Sequence, residues 1–236
     1  MSETVRLLVG AERVALCGAL GPISPHAHAT AAVVVGLDRP IRFVAGAARE
    51  CRAALLAPGF THAVDVRGSR LAVFLLPPRR PEHRSPLTEL APGPWLEIAG
   101  AVDKGCLLDF DPIDHALRER AHPIDDRLHA VLDRMRGRLD ENVAVAELAA
   151  AVRLSPTRLM ALARAELGTS LRTYRRWLRT FEVARDYAAG ATLTEAAHRA
   201  GFASSAHLSA AAREHFGIRP SQVLRPASRA GIVALR

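Results

Sequence analysis

The 236-residue chain is 49% hydrophobic with a formal net charge of +8, enough to bury two modest cores, and domain-size rules favour two domains. No apolar run reaches the ~18–20 residues of a membrane span. Glu3, Arg6, Glu12 and Arg13 stand where a signal peptide would be apolar, so a cytoplasmic protein is expected. Cys17, Cys51 and Cys106 are far apart, odd in number and free of CxxC spacing, which reads as reduced thiols rather than a disulfide framework.

In chain order, short runs rich in Val, Leu and Ile come first: Val5–Val9, Arg13–Leu16, Thr30–Val35, Ile41–Val44, Arg52–Leu56, Ala63–Val66 and Leu71–Leu76. Gly21-Pro22, Asp38-Arg39-Pro40, Pro58-Gly59 and Arg67-Gly68-Ser69 punctuate them, the pattern of strands in a sandwich or barrel. The segment Pro77–Pro86 reads as an exit from that unit, followed by predicted helices at Leu87–Val102 and Pro112–Arg120 that suit a bridge or a dimerisation surface. Beyond them Ile124, Leu128, Val131, Leu132, Met135 and Leu139 fall on one helical face.

Two later stretches are rough copies. VAELAAAVRLSPTRLMALARAELG (Val145–Gly168) and LTEAAHRAGFASSAHLSAAAREHFG (Leu193–Gly217) each read as helix, turn, helix and closing glycine. Ala149 matches Ala197 at a spacing of 48, whereas Leu159 matches Leu208 at 49, so the second turn holds one extra residue. Ser155 is placed as an N-cap with Pro156 in the first turn. Between the copies a helix over Ser170–Ala189, about 30 Å long, buries Leu171, Tyr174, Leu178, Phe181 and Ala188 and carries Arg172, Arg175, Arg176 and Arg179 elsewhere on its surface. That length approaches the ~34 Å between successive major-groove faces of DNA. Residues 1–118 hold 13 Lys+Arg against 12 Asp+Glu and residues 119–236 hold 19 against 12, so the basic excess suited to phosphate lies with the repeat.

Over Ile124–Arg225 the chain resembles the AraC/XylS family of transcription regulators. The likeness rests on the second unit's alanine pair, Ala200-Gly201-Phe202, a helix from near Ser204 and Phe216-Gly217-Ile218-Arg219-Pro220, with Leu148-Ala149, Leu154-Ser155, Leu159 and Gly168 in the first unit. It implies two helix-turn-helix subdomains in adjacent major grooves of double-stranded DNA. The groove-facing candidates, carried over by position, are Thr157, Arg158, Met160, Ala161 and Arg164, then Ser204, Ser205, Ala206, His207, Ala210 and Arg213. The three arginines, Ser205 and His207 can bond to bases or phosphates, and the alanines and Met160 offer only apolar contact. Ala163 and Ala212 depart from the family, which commonly places an aromatic residue there, and His207 reads equally as a capping residue or a base contact.

GPISPHAHATAAVVV (Gly21–Val35) and Pro58-Gly59-Phe60-Thr61-His62 look like the two halves of a cupin-type barrel signature. His26 and His28, two apart on a strand, would share a face with His62 nearby. Three imidazoles suit a divalent metal, but Ala29, Thr30, Ala31 and Ala32 occupy the region where a carboxylate usually follows, so an effector pocket is favoured over a metal centre and no cofactor is expected. His83, His115, His122 and His129 read as solvated, and no nucleophile elbow, phosphate loop or zinc-protease helix is present.

The expected fold is two-domain α+β: a cupin-like jelly-roll barrel (residues 1–84), a helical bridge (85–122) and an all-α domain (123–226) whose helix-turn-helix units, about 145–168 and 193–217, are joined by a long helix. The expected function is a ligand-responsive DNA-binding regulator and not an enzyme. Its partners are DNA, a small effector, a second copy of the chain and, for an activator, RNA polymerase. Two alternatives stand beside it: a metal-dependent cupin oxygenase fused to a DNA-binding module, and a redox sensor acting through Cys17 or Cys51.

Overall fold

Apolar runs of four or five residues separated by turns become β1 (Arg6–Val9), β2 (Val14–Gly18), β3 (Ile23–His26), β4 (Ala32–Gly36), β5 (Ile41–Ala45), β6 (Ala47–Cys51), β7 (Ala53–Leu56), β8 (His62–Asp65) and β9 (Leu71–Leu75). The computed structural model describes residues 5–10, 12–20, 23–45, 47–78, 80–81, 85–106, 109–117, 121–224 and 231–234. β2 pairs with β9, β3 with β8, β4 with β7 and β5 with β6, all antiparallel, so the chain is folded over as one long hairpin and rolled up. This nesting is the strand order of a double-sheet jelly roll. β10 (Arg80–Pro81) pairs with β12 (Ala121–His122), β11 (Leu87–Glu89) extends the sheet at β7, and β13 (Ile232–Ala234) lies parallel to β1.

One sheet runs β11-β7-β4-β9-β2-β1-β13 and the other β3-β8-β5-β6. No pairing joins them among the described residues, so the expected cupin-like jelly roll takes the form of two facing sheets and is not closed into a barrel. β2 and β4 are buried on both faces. Val14, Leu16 and Val34 point into the space between the sheets, and Ala15, Cys17, Val33 and Val35 point outward. The outward set is covered by α1 (Pro92–Lys104) and α2 (Asp111–Leu117) through Trp95, Ile98, Ala99, Val102, Ile113 and Leu117. The segment expected as a bridge is therefore a layer on the sheet. Its helix starts at Pro92 rather than Leu87, because prolines at 92 and 94 suit a first turn and Leu87–Glu89 finds a strand partner in β7. β3 and β6 have no counterpart among the expected strands. Both are sheet edges, β3 broken by Pro25 and β6 exposed along Ala48, Arg49 and Glu50.

The C-terminal half comprises α3 (Asp126–Arg136), α4 (Val145–Ala151), α5 (Pro156–Leu167), α6 (Leu171–Ala188), α7 (Leu193–Arg199), α8 (Ser205–Phe216) and α9 (Pro220–Val223). Side chains of Asp125, Ser155, Ser170, Thr192 and Ser204 cap five of these N-termini, and Glu195 completes a capping box at α7. α6, about 27 Å long, buries Tyr174, Trp177 and Phe181 as a ladder of rings, the first pair stacked and the second tilted, with centroids 5.4 and 4.2 Å apart. The ladder continues to Phe216 and then His28, at 6.4 and 6.3 Å. At its other end the Tyr174 hydroxyl donates to Glu12 Oε1 at 2.5 Å, and Glu12 pairs with Arg136 of α3 at 2.6 Å. The core between the sheets is continuous with that of α3–α6.

Candidate nucleic-acid interface and effector site

Both repeats form helix-turn-helix units, α4–α5 and α7–α8. Each turn bends through one left-handed residue: Arg153 (φ 57°) in the first and Gly201 (φ 77°) in the second. The next amide closes each turn, Leu154 onto the Ala149 carbonyl and Phe202 onto that of Ala197, both at 2.9 Å. The extra residue of the second copy is Ala203, between Phe202 and the cap Ser204. Leu148, Ala149, Leu159 and Ala163 pack one unit, and Ala196, Ala197, Phe202, Leu208 and Ala211 the other.

All eleven groove-facing candidates are exposed: Thr157, Arg158, Met160, Ala161 and Arg164 on α5, and Ser204, Ser205, Ala206, His207, Ala210 and Arg213 on or just before α8. Met160 is 47% exposed, unusual for so apolar a side chain. Arg158, Arg164 and Arg213 form no ion pair among the described residues. Ser204 Oγ accepts the His207 amide at 3.1 Å, and the His207 ring stands edge-on to Phe202 at 5.3 Å.

Two of the α6 arginines have a different task from the surface one expected. Arg175 donates to the Asn142 side chain and to the Val143 carbonyl. Arg179 donates to the carbonyls of Leu139 and Glu141 before the first unit and of Gly201 in the turn of the second, at 2.6, 3.3 and 3.3 Å. A β-carbon at Gly201 would lie 3.1 Å from that guanidinium, so the left-handed glycine also makes room for the clamp. Burial lowers the pKa of both arginines from the usual value. Their role was invisible in sequence because their partners are backbone carbonyls.

At the opposite end of the recognition helices the three histidines converge. The rings of His26, His28 and His62 lie 4.3–5.3 Å apart between centroids, and all three are buried. The expected shared strand is not how they meet. β3 ends at His26, His28 lies beyond it, and a bulge in the β3·β8 register brings His62 alongside. Burial lowers all three pKa values, that of His26 to about 4. His215, on the apolar stripe of α8 with Leu208, Ala211 and Ala212, is fully buried beside them, and among the described residues neither ring nitrogen makes a hydrogen bond of good geometry. That stripe was the signal by which it could have been found. Of the remaining histidines, His115 is exposed and His129 pairs with Asp133 at 3.1 Å, whereas His83 and the His122 side chain lie outside the described residues.

The triad opens on an apolar cavity of about 120 Å³ at the junction of the two halves. Leu16, Val34 and Leu75 wall it from the sheets, and Phe181, Ala212 and Val223 from the helices, with Arg219 among its polar neighbours. Ala212, the small residue at a commonly aromatic family position, thus faces open space. The C-terminal ends of both recognition helices rest on the loops that carry the triad. At α8 the Ser24 amide donates to the Gly217 carbonyl (2.9 Å) and the Ala27 amide to that of Glu214 (3.1 Å). At α5 Gly168 packs on Pro58, where a β-carbon would be 3.1 Å from Pro58 Cβ, and the adjoining Gly59 amide donates to the His28 carbonyl at 2.8 Å.

Cys17 is buried beneath α1 and Cys51 is also buried, which pushes their thiols up to about 12 and about 11, the Asp103 carboxylate adding to the first. A redox-sensing thiol has the opposite shift. Among the described residues no helix is long and apolar enough to cross a membrane.

These features define a protein with a double-sheet domain docked on a paired helix-turn-helix. Residues 148–226 match the family described as a helix-turn-helix domain, and this part of the chain is a DNA-binding domain of the AraC type. The whole architecture is similar to ToxT from Vibrio cholerae O395, at a TM-score of 0.61 and 11% identity over 94% of this chain and 96% of that one. It is also similar to ToxT from the same strain bound to (E)-4-(8-methylnaphthalen-1-yl)but-3-enoic acid (0.62, 10%, 94% and 97%) and to unsaturated fatty acid bound ToxT from Vibrio cholerae strain SCE256 (0.57, 11%, 94% and 93%). No curated protein matches the chain.

Proposed function

We propose that the protein is a transcription regulator that presents α5 and α8 to successive major grooves on one side of the duplex, under control of a small apolar effector held between its two halves. The observation that carries this reading is the two-ended placement of the recognition helices. Their outer faces are exposed with unpaired arginines among the described residues, and their C-terminal ends rest on the loops around the cavity. A ligand that binds one arrangement of that junction more tightly than another shifts the helices with it.

The cavity limits the ligand. At about 120 Å³ it is close to the ~150 Å³ of an engineered cavity that admits benzene, and well under the ~300 Å³ at which pockets for drug-sized ligands begin. ToxT is described with an unsaturated fatty acid bound. The same occupant would require this junction to open, so a compact apolar molecule fits better. A second copy of the chain and, for an activator, RNA polymerase complete the proposed partners. The domain limits 1–84, 85–122 and 123–226 are part of this proposal, the middle segment being the helical layer on the sheet and not a free-standing bridge between the halves.

The test is selection of bound fragments from genomic DNA followed by footprinting. Two protected segments about one helical turn (~34 Å) apart are expected on one face. Protection of a single groove segment would exclude the two-groove docking, and no protection at all would remove DNA as the partner.

A further inference from the structure

We propose that His26, His28 and His62 form a site for a divalent transition-metal ion, zinc or a close neighbour of it, and that loading the site is transmitted to α8 through His28. The chemistry of the hydrogen bonds argues for it. His26 Nδ1 lies 2.9 Å from the Ser24 carbonyl oxygen, His28 Nδ1 2.8 Å from that of His215 and His62 Nδ1 2.9 Å from that of Phe60. A carbonyl oxygen can only accept, so each Nδ1 carries the proton and each Nε2 of the neutral ring presents a lone pair. Metal-binding imidazoles are held in this way, with the second nitrogen fixed by a carbonyl or carboxylate that sets tautomer and ring orientation.

One of these lone pairs is visibly unused. Among the described residues His62 Nε2 is buried without a hydrogen-bond partner, and a buried polar atom left unsatisfied is destabilising unless something binds it. The three candidate ligand atoms, one on each ring, lie within 4.8 Å of one another. Three neutral nitrogens match zinc, nickel, copper or iron rather than calcium or magnesium. With no carboxylate among them they form a three-imidazole set, and all three rings line the apolar cavity.

Transmission follows from the same contacts. Tetrahedral bonds of ~2.1 Å place ligand nitrogens about 3.4 Å apart, so an ion draws together atoms now up to 4.8 Å apart. His28 cannot move without its Nδ1–H acting on the His215 carbonyl in the last turn of α8. His26 moves against Gly217, where even a β-carbon would stand 2.7 Å from Nδ1. Binding at the triad therefore repositions the end of the second recognition helix. This regulatory half rests on the DNA-binding reading above; the metal site itself does not.

Cobalt(II) titration of the purified full chain, stripped of metal, tests the site without DNA. The expected result is visible ligand-field absorption of a low-coordinate site that saturates at one equivalent per chain, is displaced by zinc, and is lost in His26→Gln and His62→Gln. Absorption that never saturates at one equivalent, or that survives both substitutions, overturns the site. Should the variants fail to fold, ¹⁵N-histidine spectra of the unmodified chain decide instead: zinc must shift three Nε2 resonances and leave their Nδ1 partners protonated. In parallel, affinity for a selected DNA fragment is read with and without zinc, and a change of about fivefold or more is expected. Cobalt binding with unchanged DNA affinity overturns the transmission alone. Failure to bind any fragment defeats the DNA-binding reading while the titration still reports on the metal.

Discussion

Arginines with the same formal charge play opposite parts in this molecule, and what separates them is where their donors already point. Arg158 and Arg213 have free guanidinium groups on exposed helix faces among the described residues, whereas Arg179 is tied to three carbonyls. Substituting Ala for Arg158 or Arg213 is expected to weaken DNA binding by ~1–3 kcal/mol where the contact is to a base, with thermal unfolding unchanged. An unaltered affinity in a titration would strike that residue from the interface. The thiols can be sorted in the same way. Buried Cys17 and Cys51, with their raised pKa values, should resist an aromatic disulfide reagent in the native protein, while exposed Cys106 reacts. One thiol per native chain and three in denaturant are expected. Two or more reacting quickly in the native protein would restore the redox-sensor alternative.

At the scale of elements, what could be read in the sequence was local. The cap at Ser155, the helix start near Ser204, the extra residue in the second turn and the apolar faces of α3 and α6 follow from spacing, because helix capping and periodicity depend on neighbours within four residues. β3, β6 and β11 were hidden, since edge strands expose polar or proline-bearing sequence and owe their pairing to a distant partner. The converging histidines were legible as a set, but not the bulge that aligns His26 with His62 or the packing of His215 behind them. Arg179 is the clearest loss, because nothing in its sequence neighbourhood announces that one side chain spans two units. Its truncation to Ala removes charge-assisted hydrogen bonds of ~1.5–3 kcal/mol each. A loss of about 2–4 kcal/mol in denaturant unfolding is expected, with weaker DNA binding although the hydrogen bonds of this side chain go to backbone carbonyls outside the groove-facing set. Stability within ~0.5 kcal/mol of the parent would show that the clamp does not set the spacing of the units.

The whole molecule is held together by a return path. The chain leaves the sheets, builds the paired helix-turn-helix, and comes back as β13 to pair beside β1, which covers a sheet edge that would otherwise be open to another chain. Between these ends the halves meet at Glu12–Tyr174, at Pro58–Gly168 and at β3–α8. The last is the tightest, and Gly217 is its centre. Its φ of 67° is a left-handed conformation costing an L residue ~1–2 kcal/mol. A β-carbon there would also press on the Ser24 carbonyl oxygen and meet His26 Nδ1 and Ile23 Cγ2, each at 2.7 Å. None of these is the free end of a flexible chain, so Gly217→Ala can be accommodated only by parting β3 from α8. The Ser24 and Ala27 amides, which donate to the Gly217 and Glu214 carbonyls, should then lose protection from hydrogen exchange, while the amides between β4 and β9 keep theirs. Unchanged protection at Ser24 and Ala27 would mean that the junction gives elsewhere. Loss confined to those two amides, with DNA still bound, would identify β3–α8 as the hinge through which the cavity addresses the second recognition helix.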